Sequence, residues 1–256
     1  MCSYMDLRFA SRPCYDGKSM RGDRARASDF AEQIIRTTKP WLPGPVDRLT
    51  VLDVGCGYGF TSLELSNRCR AVVGIEPCQP LFADAMKLKA ASGRLNIEFR
   101  NIAVEEFADR EVYDLAVLDN VLEHIPDHYA ALRRITDALR PSGVLFIIVP
   151  NRIWPIEAHY GLPLLSYLPV RCASLYLQLT GLGTDYTDAS YAPSYWQLKA
   201  ALSRCRELTS HFVTPSDVSL ARLGKRVHYR VGVELLKRWP WLWPVSKVFV
   251  VVCVKQ

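Results

Sequence analysis

Residues 51–60 read VLDVGCGYGF, an apolar run that ends in an aspartate and opens into alternate glycines. Gly55, Gly57 and Gly59 let the backbone take positive φ and let a ligand come close with no Cβ in the way. A strand that feeds such a loop into a helix turns backbone N–H groups and a helix N-terminus toward that ligand. One strand later, AVVGIEP ends in Glu76, a carboxylate able to accept hydrogen bonds from both hydroxyls of a ribose. The pair predicts a ligand with an adenosine-like group. Asp53 decides what else that ligand carries. A carboxylate in a poorly solvated strand-to-loop junction repels a pyrophosphate and favours an ammonium or a sulfonium. Phe60 stands where the dinucleotide fingerprint G-x-G-x-x-G has its third glycine, and no G-K-[ST] follows, which excludes a P-loop. A nicotinamide-dependent oxidoreductase therefore fails at Asp53 and Phe60.

Two histidines offer proton chemistry. His124, in NVLEHIPD, follows the fourth strand of the pattern, where the two halves of the ligand meet. His159, in IEAHYGLPLL, lies in a long insertion where a lid would face the reacting group, with Glu157 as a second polar handle. Each histidine is as well explained by a loop-ordering role as by that of a base.

These residues need a scaffold, and the chain alternates strand-like and helix-like runs that supply one. Strands are predicted at 50–54, 71–75, 96–99, 112–118 and 144–149, and helices at 60–68, 79–91 and 128–139, with a short turn near 103–108. Continuous apolar strands between helices imply an α/β, doubly wound, mainly parallel sheet with helices on both faces. Ahead of it, SDFAEQIIRTTKPWL predicts a helix capped by Ser28 and stopped at Pro40. The regular pattern breaks at Asn151. Residues 152–193 hold several prolines and many aromatics and fit no standard unit. A helix at 193–205, a strand at 207–214, an insertion at 215–246 and a last strand at 247–254 complete a sheet of seven strands. The expected organisation is an N-terminal helical extension (1–47), an α/β core (48–151), an insertion acting as acceptor lid (152–193) and a closing segment (194–256).

The core resembles the class I S-adenosylmethionine-dependent methyltransferases. LDVGCGYG is similar to that family's first motif and GIEP to its ribose-binding acidic motif. YDLAVLDNVLEHIPD resembles its fourth-strand region, and LRPSGVLFIIVPN its fifth strand. The resemblance spans roughly residues 48–151 and implies a Rossmann-like sheet with S-adenosylmethionine as cofactor. It implies that Gly55, Gly57 and Gly59 cradle the methionine part, that Asp53 lies near its amino group, and that Glu76 binds the ribose. Asp119 and Asn120 would border the methionine end. Ala103 stands where many relatives carry an acidic residue for the adenine, so that contact is assigned to backbone near Val104. NVLEH is also similar to quinone-pathway O-methyltransferases, in which two carboxylates and a histidine hold a divalent cation. Asn120 replaces the first carboxylate here, and hard cations prefer carboxylate oxygen, so no metal is expected.

Composition sets the outer bounds. Of 256 residues, 49% are hydrophobic and 23% charged, which supports a real core, and the net charge of +6 is spread without a basic stripe. Nucleic acid is disfavoured as a partner. Eight cysteines without a C-x-x-C pair, and an early charged N-terminus MCSYMDLRFASRP, point to a reducing cytoplasmic setting. The stretch at 239–254, with Trp239, Trp241 and Trp243, is too short and too interrupted to span a bilayer, which leaves peripheral contact with its inner face open. The apolar, aromatic insertion predicts a small-molecule acceptor, with methyl transfer to a hydroxyl on an apolar, aromatic or lipid- or saccharide-linked metabolite. A S-adenosylmethionine-binding regulatory protein without turnover is the alternative of a different class.

Overall fold

The structure, a computed structural model, describes residues 17–215 and 226–256. Seven strands form one sheet among them: β1 (Thr50–Val54), β2 (Ala71–Ile75), β3 (Ile97–Arg100), β4 (Tyr113–Asp119), β5 (Leu139–Pro150), β6 (Leu208–Phe212) and β7 (Val248–Lys255). Their order across the sheet is β3-β2-β1-β4-β5-β7-β6. The first five pair in parallel, and β7 runs antiparallel to both β5 and β6. The chain winds outward from β1 to β3 and then returns to place β4 beside β1. The crevice beyond the carboxyl ends of β1 and β4 is therefore the switch point at which ligands enter sheets of this kind.

The strands read as unbroken apolar runs because both faces are covered. Successive side chains point to opposite sides. Leu52, Val54, Ala116, Leu118, Leu145 and Ile147 pack on one face against α4 (His128–Ala138) and α6 (Tyr195–Arg204). Val51, Val72, Leu115, Val117 and Phe146 pack on the other against α1 (Gly17–Thr38) and α2 (Phe60–Ser66). Each fully buried Val, Leu, Ile or Phe among them contributes about 1.5–3 kcal/mol. α3 (Gln79–Ser92) connects β2 to β3, and Gly93, in a left-handed conformation, ends it.

Three expectations are corrected. α1 begins at Gly17 and not at Ser28, which sits inside the helix and accepts a hydrogen bond from Arg68 Nη2 at 3.1 Å. The polar stretch ahead of Ser28 carries few apolar residues but good helix formers, so periodicity did not reveal it. β5 begins at Leu139, directly after α4, and shifts register between Leu139 and Val144. Ser142, at φ 63°, marks that irregularity. The insertion at 152–193 is less irregular than its prolines imply. It contains α5 (Val170–Thr180), which closes a small core of Leu165, Ala173, Leu177, Tyr186 and Ala189. The second insertion carries α7 (Val227–Arg238) and a 3-10 turn at Pro240–Val245, while its residues 216–225, like the sequence MCSYMDLRFASRP, lie outside the described residues.

Candidate active site

The glycine loop is tied to the end of β2. Gly55 and Cys56 donate backbone N–H groups to the Ile75 carbonyl at 2.8 and 3.0 Å. Glu76, 6% exposed, accepts from Gly57 N through one oxygen and from Cys78 N through the other, both at 2.9 Å. Burial pushes its carboxyl above the ordinary range, and those two N–H groups work against that rise. Each carboxylate oxygen keeps a second lone pair for a ligand hydroxyl.

The three glycines take positive φ for different reasons. A Cβ on Gly57 would meet nothing within 4 Å, because the position opens into a cavity. One on Gly59 would strike Phe99 Cζ at 2.5 Å, and one on Gly55 would strike Val121 Cγ2 at 2.5 Å. Gly59 therefore serves the close packing of α2 on the sheet and does not border the cavity, contrary to its expected place in a cradle. Asp53 also lies behind the loop. It is 4% exposed, and its Oδ2 accepts from Ser62 Oγ at 2.5 Å. Burial pushes its pKa up to about 6, the Ser62 hydroxyl opposes that rise, and the nearby Glu76 charge adds to it. Its charge can reach a ligand only through the loop.

Around the rest of the cavity the expected positions converge. Ala103 and Val104 line it at a 3-10 turn (Val104–Glu106), beside Ile102. Asp119 and Asn120 line it at the end of β4, where Asn120 takes φ 53° and donates Nδ2–H to Asp119 Oδ1 at 2.7 Å. Sequence reasoning did not anticipate α1 as a wall, yet Arg26, Phe30 and Gln33 border the same space.

His124 and His159 meet although 34 positions separate them in the chain. Their ring centroids are 5.2 Å apart in an edge-on arrangement. His124 stands on the 3-10 turn Leu122–His124, and His159 on the turn closed by the Ile156–Pro163 bridge. The fully buried Glu123 places Oε1 3.7 Å from His159 Nε2. Glu157 holds the other ring nitrogen, with Oε1 2.8 Å from Nδ1. Ligand atoms of Glu123, His124 and His159 lie within 4.8 Å of one another, which leaves room for a shared proton or a divalent cation. With a single carboxylate the set is poor in the oxygen donors that hard cations take. Both histidines face the cavity that the glycine loop borders.

That cavity has a volume of about 1120 Å³, enough for a nucleoside ligand and a second molecule together. Trp154, Leu236, Leu242 and Trp243 give it an apolar wall, beside the polar Arg226, His228 and Lys247. The residues suit S-adenosylmethionine: an open Gly57, a buried Glu76 carboxylate whose oxygens can accept from hydroxyls, and the Asp53 carboxyl behind the loop.

Known proteins resemble this chain in sequence over its core and in fold. A family model described as a methyltransferase domain matches residues 52–147. A ubiquinone biosynthesis O-methyltransferase of Rhodopseudomonas palustris (strain TIE-1) is 35% identical over 109 residues, 43% of this chain and 43% of that protein. The protein of the same description from Bradyrhizobium diazoefficiens is 38% identical over 106 residues, 41% of this chain and 42% of its own length. The chain thus spans less than half the length of the curated relatives it matches. Among solved structures, the plantazolicin methyltransferase BpumL, in complex with a monoazolic desmethylPZN analog and SAH, superposes with a TM-score of 0.60 at 15% identity, covering 94% of this chain and 91% of that one. A S-adenosylmethionine-dependent methyltransferase from Mesorhizobium loti gives 0.57 at 16% identity, covering 87% and 98%. At such identities the likeness shows the fold.

Proposed function

We propose that this chain, whose core is a class I S-adenosylmethionine-dependent methyltransferase domain, moves a methyl group to a hydroxyl oxygen of a small apolar or aromatic acceptor. One observation carries the reading. The open Gly57 with Glu76 and the paired His124 and His159 border one cavity, whose further lining combines Trp154, Leu236, Leu242 and Trp243 with polar residues such as Arg226, His228 and Lys247. When bound, S-adenosylmethionine supplies an electrophilic methyl on a sulfonium. Glu76 takes the ribose hydroxyls, the backbone at Gly55–Gly57 and Asp119–Asn120 flank the methionine end, and the backbone near Val104 faces the adenine. Asp53 adds a negative charge behind the loop that favours a cation over a pyrophosphate. A histidine of the pair would take the O–H proton of an acceptor oxygen oriented toward that methyl, and the sulfonium would leave as the neutral thioether. Orientation supplies most of the acceleration and the base adds to it.

His159 is the better placed base, because a carboxylate grips its far nitrogen. His159→Ala is expected to lower kcat at least tenfold with S-adenosylmethionine affinity held within twofold, and His124→Ala to have the smaller effect on kcat. Turnover and calorimetry on the two variants check the order. The wider reading is tested by titrating the protein with S-adenosylmethionine and with NAD, then following S-adenosylhomocysteine release over a panel of alkylcatechols and phenols. Binding of S-adenosylmethionine without any release would favour the regulatory alternative, and NAD binding would overturn the cofactor.

The acceptor is read as one that partitions into lipid, with the protein peripheral to a bilayer. Val227, Val231, Trp239 and Trp241 stand exposed on α7 and the turn after it, with Arg226, Arg230, Lys237 and Arg238 also exposed there. That mixture suits an anionic interface. No helix among the described residues is long and apolar enough to cross a membrane. Trp241, 73% exposed, is expected to matter most. Trp241→Ala should weaken co-sedimentation with phosphatidylglycerol-containing vesicles several-fold, leaving S-adenosylmethionine affinity unchanged.

A further inference from the structure

Two histidines share the reacting end of the cavity, and their surroundings differ. The carboxylate of Glu157 is almost fully buried, and three donors converge on it. Its Oε2 accepts backbone N–H from His159 and from Tyr160, each at 2.7 Å. Its Oε1 lies 2.8 Å from His159 Nδ1. Glu157 therefore folds back over its own turn and clamps both the main chain and the ring of the residue two positions on. Gly161, at φ 68°, donates its N–H to the Glu157 carbonyl and completes the turn.

We infer that Glu157 is the positioning residue of this site, fixing His159 in the Nδ1–H tautomer so that Nε2 presents its lone pair to the acceptor hydroxyl. The chemistry of the pair dictates this assignment. An ionised carboxylate has only acceptor sites, so a nitrogen within hydrogen-bond distance of one must carry the hydrogen; Nδ1, 2.8 Å from Glu157, meets that condition, and Nε2, 3.7 Å from Glu123, does not. In a neutral imidazole the other nitrogen is then the acceptor, and in this fold that nitrogen is Nε2, on the side of Glu123 and His124. A proton taken by Nε2 would leave the ring between the side chains of Glu157 and Glu123. Tyr186 also feels the Glu157 charge, and burial pushes its phenol up to about 12, so no competing anion arises there near neutrality.

The inference rests on the reading of the cavity as a methyl-transfer site, and its test is chosen to stand apart from that reading. Glu157→Gln is the informative change. The amide oxygen can keep both backbone N–H groups of the turn, while the amide nitrogen replaces Oε1 and can only donate to Nδ1. The ring is then forced into the Nε2–H tautomer, with no lone pair toward the cavity. Nitrogen-15 NMR of histidine-labelled protein reads the tautomer directly, with no acceptor needed. His159 of the unaltered protein is expected to show Nδ1 protonated, and the E157Q variant Nε2 protonated, with the backbone resonances of 156–163 essentially unmoved. With 4-octylcatechol as acceptor, kcat is expected to fall at least tenfold in E157Q while S-adenosylmethionine affinity stays within twofold. A neutral His159 protonated at Nε2 in the unaltered protein would overturn the inference, and so would an E157Q variant with unchanged tautomer and kcat. Should E157Q disturb the turn, the tautomer of the unaltered protein still decides the matter. Failure of S-adenosylmethionine to bind the unaltered protein would sink the proposed function and leave the tautomer result standing.

Discussion

Gly57→Ala is expected to weaken S-adenosylmethionine binding at least a hundredfold, whereas Gly93→Ala leaves it unchanged. Both glycines have positive φ, 55° and 65°, and a Cβ on either would meet no protein atom within 4 Å. The backbone cost of a left-handed alanine, about 1–2 kcal/mol, is thus common to the two variants. What separates them is the space the methyl group enters. At Gly93, the end of α3, that space lies away from the cavity, and at Gly57 it is the cavity itself. A ligand packed on the Gly57 backbone must withdraw by about the radius of a methyl group, losing its fit over the loop and its reach to Glu76. A loss of about 3 kcal/mol corresponds to the hundredfold change. Calorimetric titration measures the affinities, and thermal unfolding should give the two variants similar losses in Tm. Equal affinities for Gly57→Ala and the unaltered protein would remove the loop from the site.

The same comparison shows where the sequence was informative and where it fell short. The strands were legible because β1, β4 and β7 are buried on both faces, and near-continuous Val, Leu, Ile and Phe leave little ambiguity. Gly57, Glu76, Asp119, Asn120, Val104, His124 and His159 were legible as neighbours that border one cavity because a parallel sheet brings the ends of its strands and the loops after them to one edge, whatever the side-chain detail. The glycines could not be told apart, since only the packed partners, Phe99 for Gly59 and Val121 for Gly55, distinguish packing from ligand approach. Asp53 is expected near the amino group of the ligand because it stands at the strand-to-loop junction. Its partner Ser62, nine positions on and one turn into α2, turns it inward. α5 and α7 escaped notice because prolines and aromatics at their flanks masked their periodicity. The grip of Glu157 on His159 was invisible for a different reason: it depends on a tight turn in which one side chain folds back on its own backbone, and composition does not encode that geometry.

Asp53→Asn should stabilise the free protein at pH 7.5 and weaken S-adenosylmethionine binding at the same time. In the fold this carboxyl titrates at about 6, against an ordinary value of 3.8, with burial as the main cause. Below about pH 3.8 the group is protonated in both folded and unfolded chains and contributes nothing. Between 3.8 and about 6 the folded chain holds a proton that the unfolded chain has released, so stability falls as pH rises through this window. Above about pH 6 the full penalty applies, about 3 kcal/mol for a gap of this size. Asparagine keeps an oxygen for the Ser62 hydroxyl and carries no charge to desolvate. The variant is therefore expected to gain roughly 6–10 °C in Tm at pH 7.5 and little or nothing near pH 4. Binding reverses the balance. A cation seated on the loop favours the ionised carboxylate, so the unaltered protein should release protons on taking up S-adenosylmethionine near pH 6, visible as a dependence of the calorimetric heat on buffer ionisation. Asp53→Asn should abolish that release and cost about tenfold in affinity, of the order of one charge interaction acting through a loop. A variant no more stable than its parent at pH 7.5 would mean that Asp53 meets a stronger partner than Ser62. A stable variant with undiminished affinity would mean that the charge serves the fold's loop and not the ligand.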